Sequence, residues 1–276
     1  MGSLTVTPWM LGYRSQYTKP SVSAILEITS LIAADHGHNR NPLDVTDGVD
    51  RRGSGKGRLR PSMMGNPCDR EIALAYEGYP QEPSKVEWML KAEMGSWLHY
   101  QWQAELMTGY VLNGEEVKPL LVTPEVKVRW SDGLIVGSAD GLLSDGSLLE
   151  LKTVGTKMYA TGMFREPPVV EWEAPKWEHL VQVNAYMYGL GVGEASVVYI
   201  DRDTNDFTEF RCLIDSDIVT WIIDRSEKLQ GPMSPVLDAC AAIMNGAKVP
   251  WNEGKKVYEF CKYKQTCARL MTEGIS

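Results

Sequence analysis

The sequence predicts an α/β protein in which a central sheet is flanked by helices. Residues 67–78 and 85–108 show helical apolar spacing, and so does the chain after residue 175. Between these regions lie short apolar runs separated by Asp-Gly turns, which is typical of strands. Helical segments on both sides of a group of strands indicate a layered α/β architecture.

The helices are predicted from apolar periodicity and from their end signals. Residues 20–34 have helical spacing after a Ser cap. The apolar stripe of residues 85–108 consists of Trp88, Leu98, Trp102 and Leu106. A long helix over residues 175–190 stops at Gly189 and Gly191, and a helix over 215–230 stops at Gly231-Pro232. A last helix near 233–246 leads into a cysteine-containing tail.

Five runs have the composition of strands. The first three cover residues 120–129, 134–143 and 147–154, and residues 195–201 and 207–214 form a further hairpin. With 276 residues and no internal repeat, the simplest partition has two parts. Residues 1–60 form an amino-terminal extension with a Gly-rich basic loop, and residues 61–276 form the main domain.

Composition limits the class of protein. Apolar residues make up 43% of the chain, yet no run approaches the roughly 18 apolar residues that span a bilayer. We therefore expect no membrane partner. The amino terminus lacks the layout of a signal peptide, and five irregularly spaced cysteines do not resemble a disulfide framework. These observations favour a cytoplasmic location.

The net charge of −8 argues against a protein that coats nucleic acid through a broad positive field. It does not exclude a nuclease, because a divalent cation and a few local basic groups can contact phosphate. The local basic cluster consists of Arg51, Arg52, Lys56, Arg58 and Arg60. It is either a solvated loop or a flexible arm that contacts a phosphate backbone.

The most informative residues are Asp140, Glu150 and Lys152, which lie in two predicted strands joined by an Asp-Gly turn. A two-residue turn would pair Asp140 with Leu151. A three-residue loop over 144–146, with its glycine left-handed, instead places Asp140 opposite Glu150. Lys152 then shares that face, because side chains alternate along a strand. We expect the second register, because it brings all three charged groups together.

Three charged groups in a central strand are costly unless they pair or hold a metal. Two carboxylates can bind Mg²⁺ or Mn²⁺, and the Lys152 amine can hold a water or stabilise a phosphate. The alternative is that Glu150 and Lys152 are ordinary cross-strand charges. Leu148, Leu149 and Leu151 around them favour a buried strand and hence a metal-dependent phosphodiesterase site.

Asp140 with Glu150-Leu151-Lys152 resembles the PD-(D/E)XK nuclease signature, with Ala139 in place of the proline. The resemblance is to the RecB-like branch and includes three further motifs. These are Gly95-Ser96-Trp97-Leu98-His99, Glu125 in the preceding strand, and the Gln-x-x-x-Tyr pair Gln182 and Tyr186. Each motif alone is weak, but their order over residues 95–186 is specific.

This resemblance implies a restriction-endonuclease-like core with a mixed sheet, and a RecB-like nuclease domain over residues 61–276. The implied metal ligands are His99, Asp140, Glu150 and the main-chain carbonyl of Leu151. Lys152 would position the attacking water, Gln182 and Tyr186 would arrange the site or contact substrate, and Glu125 would support it. The implied activity is that of a DNA exonuclease on single strands or duplex ends, of phage or prokaryotic recombination or defence. A phage-encoded chain would act in the host cytoplasm.

Three cysteines resemble the iron–sulfur branch of these nucleases, which includes CRISPR-associated and AddB-type enzymes. Cys68, Cys261 and Cys267 match three of four cluster positions, and Tyr258 stands at the remaining one. A [4Fe–4S] cluster with another fourth ligand, a zinc site and free thiols are all open. Cys212 and Cys240 have the surroundings of small packing residues.

A second function remains open at this stage. A catalytically weak nuclease-fold protein that binds nucleic-acid ends or a protein partner would also fit the negative net charge. Such a protein is expected to have lost a metal ligand, and the sequence retains all of them. No feature identifies a particular protein partner.

Overall fold

The structure is a computed structural model, which describes residues 56–82, 86–112, 115–155, 175–204, 207–248 and 253–274. The predicted helix over residues 20–34 and the basic residues Arg51 and Arg52 lie outside these ranges. The helices are α1 (Pro61–Met64), α2 (Asp69–Tyr76), α3 (Val86–Leu106), α4 (Trp177–Leu190), α5 (Ser216–Lys228), α6 (Asp238–Met244), α7 (Glu253–Phe260) and α8 (Lys264–Thr272). The strands are β1 (Tyr110–Leu112), β2 (Glu115–Val117), β3 (Leu121–Trp130), β4 (Ile135–Leu143), β5 (Leu148–Val154), β6 (Glu194–Asp201) and β7 (Phe207–Leu213).

Strands β3 to β7 form a five-stranded sheet in chain order, and β1 pairs with β2 in a separate ribbon. Strands β5 and β6 are parallel, whereas the other neighbours in the large sheet are antiparallel. The parallel pair follows from the connection through α4, because parallel neighbours need a crossover. The α/β class and the mixed sheet are confirmed.

The two faces of the sheet are covered by different helices. On one face, Leu148 and Val197 pack with Val183 and Met187 of α4. On the other face, Leu149, Leu151, Val198 and Ile200 pack with Leu106 of α3. Burial on both faces explains why β5 is an almost continuous apolar run. It also means that the charged residues of β5 enter a largely buried layer.

The hairpin between β4 and β5 has the predicted register. Gly141 pairs with Leu149 and Leu142 with Leu148, and continuing this register places Asp140 opposite Glu150. The loop has three residues, since the Leu143 N–H donates to the Ser147 carbonyl at 2.8 Å. Gly146 takes a φ of 82°. The three-residue loop and its left-handed glycine are therefore confirmed.

Residues 56–60 and the carboxyl-terminal helices complete the structure. Leu59 is buried and bridges to Ile135 at the start of β4. At the other end, Tyr263, Cys267 and Leu270 pack against Leu74 and Ala75 of α2. The tail is thus held on α2 and not on the sheet. None of the helices in the described ranges is long and apolar enough to cross a membrane.

Gly65 is required for the contact between α1 and α4. A Cβ atom at this position would lie 2.4 Å from the Cα of Glu178. We expect Gly65→Ala to lower the free energy of unfolding by about 1–3 kcal/mol, the usual cost of overpacking. Gly193→Ala is the matched control, since nothing lies within 4 Å of its Cβ position. Chemical denaturation measures both, and equal effects would contradict this role of Gly65.

Candidate active site

The sheet opens between β4 and β5 where the charged residues lie. The two strands pair only at Gly141/Leu149 and Leu142/Leu148. One residue further on, the Leu151 N–H donates to Oδ2 of Asp140 at 2.6 Å, in place of a ladder hydrogen bond. The Asp140 carboxylate is therefore held at the point of divergence, where a small group can enter between the strands.

Glu150, Lys152 and Gln182 form a closed set of hydrogen bonds. Lys152 Nζ lies 2.5 Å from Glu150 Oε1 and 2.9 Å from Gln182 Oε1. Gln182 Nε2 in turn donates to Glu150 Oε1 at 2.7 Å. Each residue thus orients the other two. The arrangement places a charged pair deep in the protein with its geometry fixed from α4.

Helix α4 carries two more polar side chains in this region, those of Tyr186 and His179. Gln182 Nε2 also donates to the Tyr186 hydroxyl at 3.2 Å, as the four-residue spacing allows. His179 instead contacts the Tyr199 hydroxyl at 2.6 Å, and burial lowers the pKa of His179 to about 2. Tyr186 therefore belongs to the site, whereas His179 stays neutral and packs beside it.

Helix α3 brings His99 to the site by a close approach to β5. A Cβ atom on Gly95 would lie 3.0 Å from Thr153 Oγ1, a tight contact that marks where α3 comes close to β5. His99 follows one turn later on the same helical face. Its Nδ1 lies 3.4 Å from Asp140 Oδ1. The small residue at position 95 thus allows the close approach that brings His99 to Asp140.

Gln103 contacts the backbone of Asp140 and was missed by sequence reasoning. Gln103, which is fully buried on α3, donates through Nε2 to the Asp140 carbonyl at 2.7 Å and to Glu125 Oε1 at 3.2 Å. Glu125 Oε2 accepts from Ser138 at 3.0 Å. Gln103 lies four residues after His99, so a search of that helical face for polar residues could have found it.

Glu125 has an unusual backbone for a strand residue. Its φ is 52°, in the left-handed region that non-glycine residues seldom adopt. Such a conformation costs roughly 1–3 kcal/mol and persists only where the surroundings impose it. Its carboxylate contacts Gln103 and Ser138, and through Gln103 it braces the backbone of Asp140.

The pKa values of the Asp140 and Glu150 carboxyl groups are shifted in opposite directions. Burial raises the pKa of Glu150 to about 7, against the opposing charge of Lys152. Burial also acts on Asp140, but the charges of His99 and Lys152 outweigh it and lower the pKa of Asp140. The pKa of His99 is raised because Asp140 outweighs the effect of burial. Paired carboxyl groups whose pKa values are pushed apart are common in active sites.

The residues present suit a divalent cation. Glu150 Oε2 is buried and has no hydrogen-bond partner in the described part of the chain, so it retains free acceptor capacity. Carboxylate oxygens and an imidazole nitrogen are suitable donors for Mg²⁺ or Mn²⁺. Within the described ranges no three Asp, Glu, His or Cys side chains are already at ligand spacing. Binding would thus require His99 and Asp140 to turn from each other towards the ion.

Part of the site lines a cleft of about 510 Å³, whereas Glu150, Lys152 and Gln182 are not in its lining. His99, Asp140 and Tyr186 lie in its wall together with the basic residues Arg58, Arg60, Lys127 and Arg129. Arg58 and Arg60 come from the predicted basic cluster, whereas Lys56 lies beside Gly78 at the end of α2. Lys127 and Arg129 were not predicted, although their alternation along β3 was visible in the sequence.

The predicted cysteines lie away from this cleft. Cys68, Cys261 and Cys267 all line a separate small cavity between α2 and the carboxyl-terminal helices. Tyr258 lines the same cavity, and none of the three cysteines forms a disulfide within the described part of the chain. The chain therefore brings these residues together as a group distinct from Asp140 and Glu150.

The mixed five-stranded sheet with helices on both faces is the architecture predicted from the sequence. Comparison with solved structures finds an alkaline exonuclease from Laribacter hongkongensis, LHK-Exo, in complex with dAMP, at 18% identity and a TM-score of 0.45, over 63% of this chain and 86% of that chain. A phage-related exonuclease from Haemophilus somnus 129PT is similar at 14% identity and a TM-score of 0.45, over 63% and 92%. A further structure, SSO0001, is similar at 13% identity and a TM-score of 0.40, over 88% and 96%.

No protein-family model and no curated protein matches the chain. The chemistry of the site has to be derived from the side chains of this chain.

Proposed function

We propose that this protein is a metal-dependent nuclease that hydrolyses phosphodiester bonds in DNA, as an exonuclease on single strands or duplex ends. The observation that carries the proposal is the fixed set of Glu150, Lys152 and Gln182, with Glu150 Oε2 left without a partner in the described residues. Asp140 and His99 lie beside it in an open cleft. The choice of DNA ends follows from the resemblance of the motifs to RecB-like nucleases.

Each side chain has a role that its contacts support. Asp140, Glu150 and His99 would hold Mg²⁺ or Mn²⁺, with the Leu151 carbonyl as a further ligand. The ion, when bound, supplies Lewis-acid stabilisation of charge on the phosphate. Lys152 orients the water whose oxygen forms the new bond to phosphorus while the bond to the leaving sugar oxygen breaks. Gln182 fixes both Glu150 and Lys152.

The basic residues in the wall of the cleft support the proposal that the substrate carries phosphate groups. Arg58, Lys127 and Arg129 line it near the site, although the whole chain carries a net charge of −8. Substrate attraction is therefore local, and the Tyr186 hydroxyl can donate to a phosphate oxygen. Binding through a few basic groups falls as salt rises, since counterions compete for the phosphates.

The decisive experiment is a cleavage assay on DNA labelled at the 5′ or the 3′ end, single- or double-stranded, with Mg²⁺, Mn²⁺ or EDTA. We expect metal-dependent loss of nucleotides from an end and no cleavage of a closed circle. Cleavage of the circle would replace the exonuclease by an endonuclease. Binding of DNA without cleavage under every metal condition would favour the catalytically weak alternative.

Activity should depend on pH through Glu150. Because burial raises the pKa of Glu150 to about 7, the carboxyl takes up a proton as the pH falls through that value and then binds a cation poorly. At subsaturating Mn²⁺ we expect cleavage to fall by up to about tenfold per pH unit below neutrality. Raising the Mn²⁺ concentration should shift the midpoint to lower pH. A profile that is flat from pH 5.5 to 8 would exclude Glu150 as the titrating ligand.

A further inference from the structure

Four cysteines from four separate elements meet at one small cavity. Cys68 precedes α2, Cys240 lies in α6, Cys261 follows α7 and Cys267 lies in α8. All four line the same cavity, although Cys240 was expected to be a packing residue only. Their convergence depends on how the tail packs on α2, so the spacing of cysteines in the sequence does not show it.

The surroundings suit sulfur ligands. The Tyr263 N–H donates to Cys261 Sγ at 3.4 Å, a contact that orients and stabilises a thiolate. Arg70, which is almost fully buried, lines the cavity together with Cys267. A guanidinium at this place offsets part of the negative charge that several thiolates would bring.

We propose that Cys68, Cys240, Cys261 and Cys267 form a tetrathiolate site for a soft metal, with Cys240 as the fourth ligand in place of position 258. A zinc ion and an iron–sulfur cluster share this ligand chemistry. The cavity measures about 10 Å³, which is room for roughly one water molecule, so it favours a single zinc ion. No three such side chains in the described ranges are yet at ligand spacing, so the thiols draw together on binding.

The role of the site is structural. A metal bound to these four residues joins α2 to α6, to the end of α7 and to α8 in a single cross-link. In the described part of the chain, the apolar contacts of this region centre on a cluster that includes Leu74, Tyr263 and Leu270. Metal binding then contributes to the folding free energy of the tail, as in other small metal-stabilised regions.

The test compares Cys240→Ser with Cys212→Ser in the full chain, purified without oxygen. Cys212 is a matched control, because it is buried in the sheet core and not in the cavity. Zinc and iron are counted by elemental analysis, and absorbance near ~400 nm reports a cluster. We expect native protein and Cys212→Ser to hold metal at one site per chain. Cys240→Ser should lose at least about tenfold in metal affinity under competition with a chelator.

A second variant separates loss of a ligand from loss of packing. Tyr258 lines the cavity, so Tyr258→Cys in the Cys240→Ser background should restore metal binding, whereas Tyr258→Cys alone should not raise it. Limited proteolysis should cut the tail of Cys240→Ser faster and the rescued variant at the native rate. Native protein without bound zinc or iron and with titratable thiols would overturn the proposal. So would metal retained in Cys240→Ser but lost in Cys261→Ser.

Discussion

Replacing Lys152 with Ala should reduce DNA cleavage by about 10²–10³-fold, the usual effect of removing one group that stabilises charge in a transition state. The Nζ atom lies 2.5 Å from Glu150 Oε1 and 2.9 Å from Gln182 Oε1, so the substitution removes the amine from this set of hydrogen bonds. Asp140 and Glu150 remain, and binding of Mn²⁺ should therefore persist. Single-turnover cleavage and calorimetric titration with Mn²⁺ measure the two quantities separately.

The control for Lys152→Ala must exclude a general loss of structure. Lys152→Met retains the aliphatic packing and should show the same loss of cleavage, since the effect comes from the amine. Lys264→Ala removes an amine far along the chain, on α8, and should cleave like the native protein. Full activity of Lys152→Ala would remove the assigned role, and equal loss in Lys264→Ala would point to misfolding.

The largest effect on stability is expected from Arg225 on α5. Its guanidinium donates to Asp69 Oδ1 and to the carbonyls of Met64 and Asn66, and it lies over the Trp221 ring at 4.9 Å. Only 8% of Arg225 is exposed. Arg225→Ala leaves buried acceptors without a donor, so we expect a loss of about 3–5 kcal/mol in the free energy of unfolding.

Lys228 provides the matched control for Arg225, because it binds the same carboxylate from the surface. Its Nζ lies 2.7 Å from Asp69 Oδ2, and 66% of the side chain is exposed. Lys228→Ala should cost no more than about 1 kcal/mol, as exposed ion pairs do. Both variants are measured by chemical denaturation. Similar costs for the two would show that burial does not decide the strength of this contact.

Some of the structural features behind these expected effects can be predicted from the sequence, and others cannot. Helices α2 to α5 and the five strands of the large sheet were predictable to within a few residues, because apolar periodicity and turn residues act locally. The short elements α1, β1 and β2 and the tail helices α7 and α8 were not predicted. The β4–β5 register was predictable too, since a three-residue loop ending in Gly146 sets the pairing of Leu142 with Leu148 and of Gly141 with Leu149. Asp140, Glu150 and Lys152 were candidates from the hairpin pattern, whereas His99, Glu125, Gln182 and Tyr186 were implied by the resemblance of the motifs.

Other features depend on contacts between residues that are distant along the chain. Gln103 binds the Asp140 carbonyl only because α3 lies close to the sheet at Gly95. Lys127 and Arg129 became candidates only when the cleft showed which face of β3 it exposes.

The sequence by itself determined which strands carry the carboxylates, which helix carries Gln182 and Tyr186, and how the hairpin is paired. Periodicity and loop length are local properties, and a local pattern is sufficient to define them. Only the tertiary structure decided that β4 and β5 part at Asp140 and that Cys240 meets Cys68. Both follow from the packing of separate elements, which depends on the complementarity of whole surfaces and not on the spacing of residues along one segment.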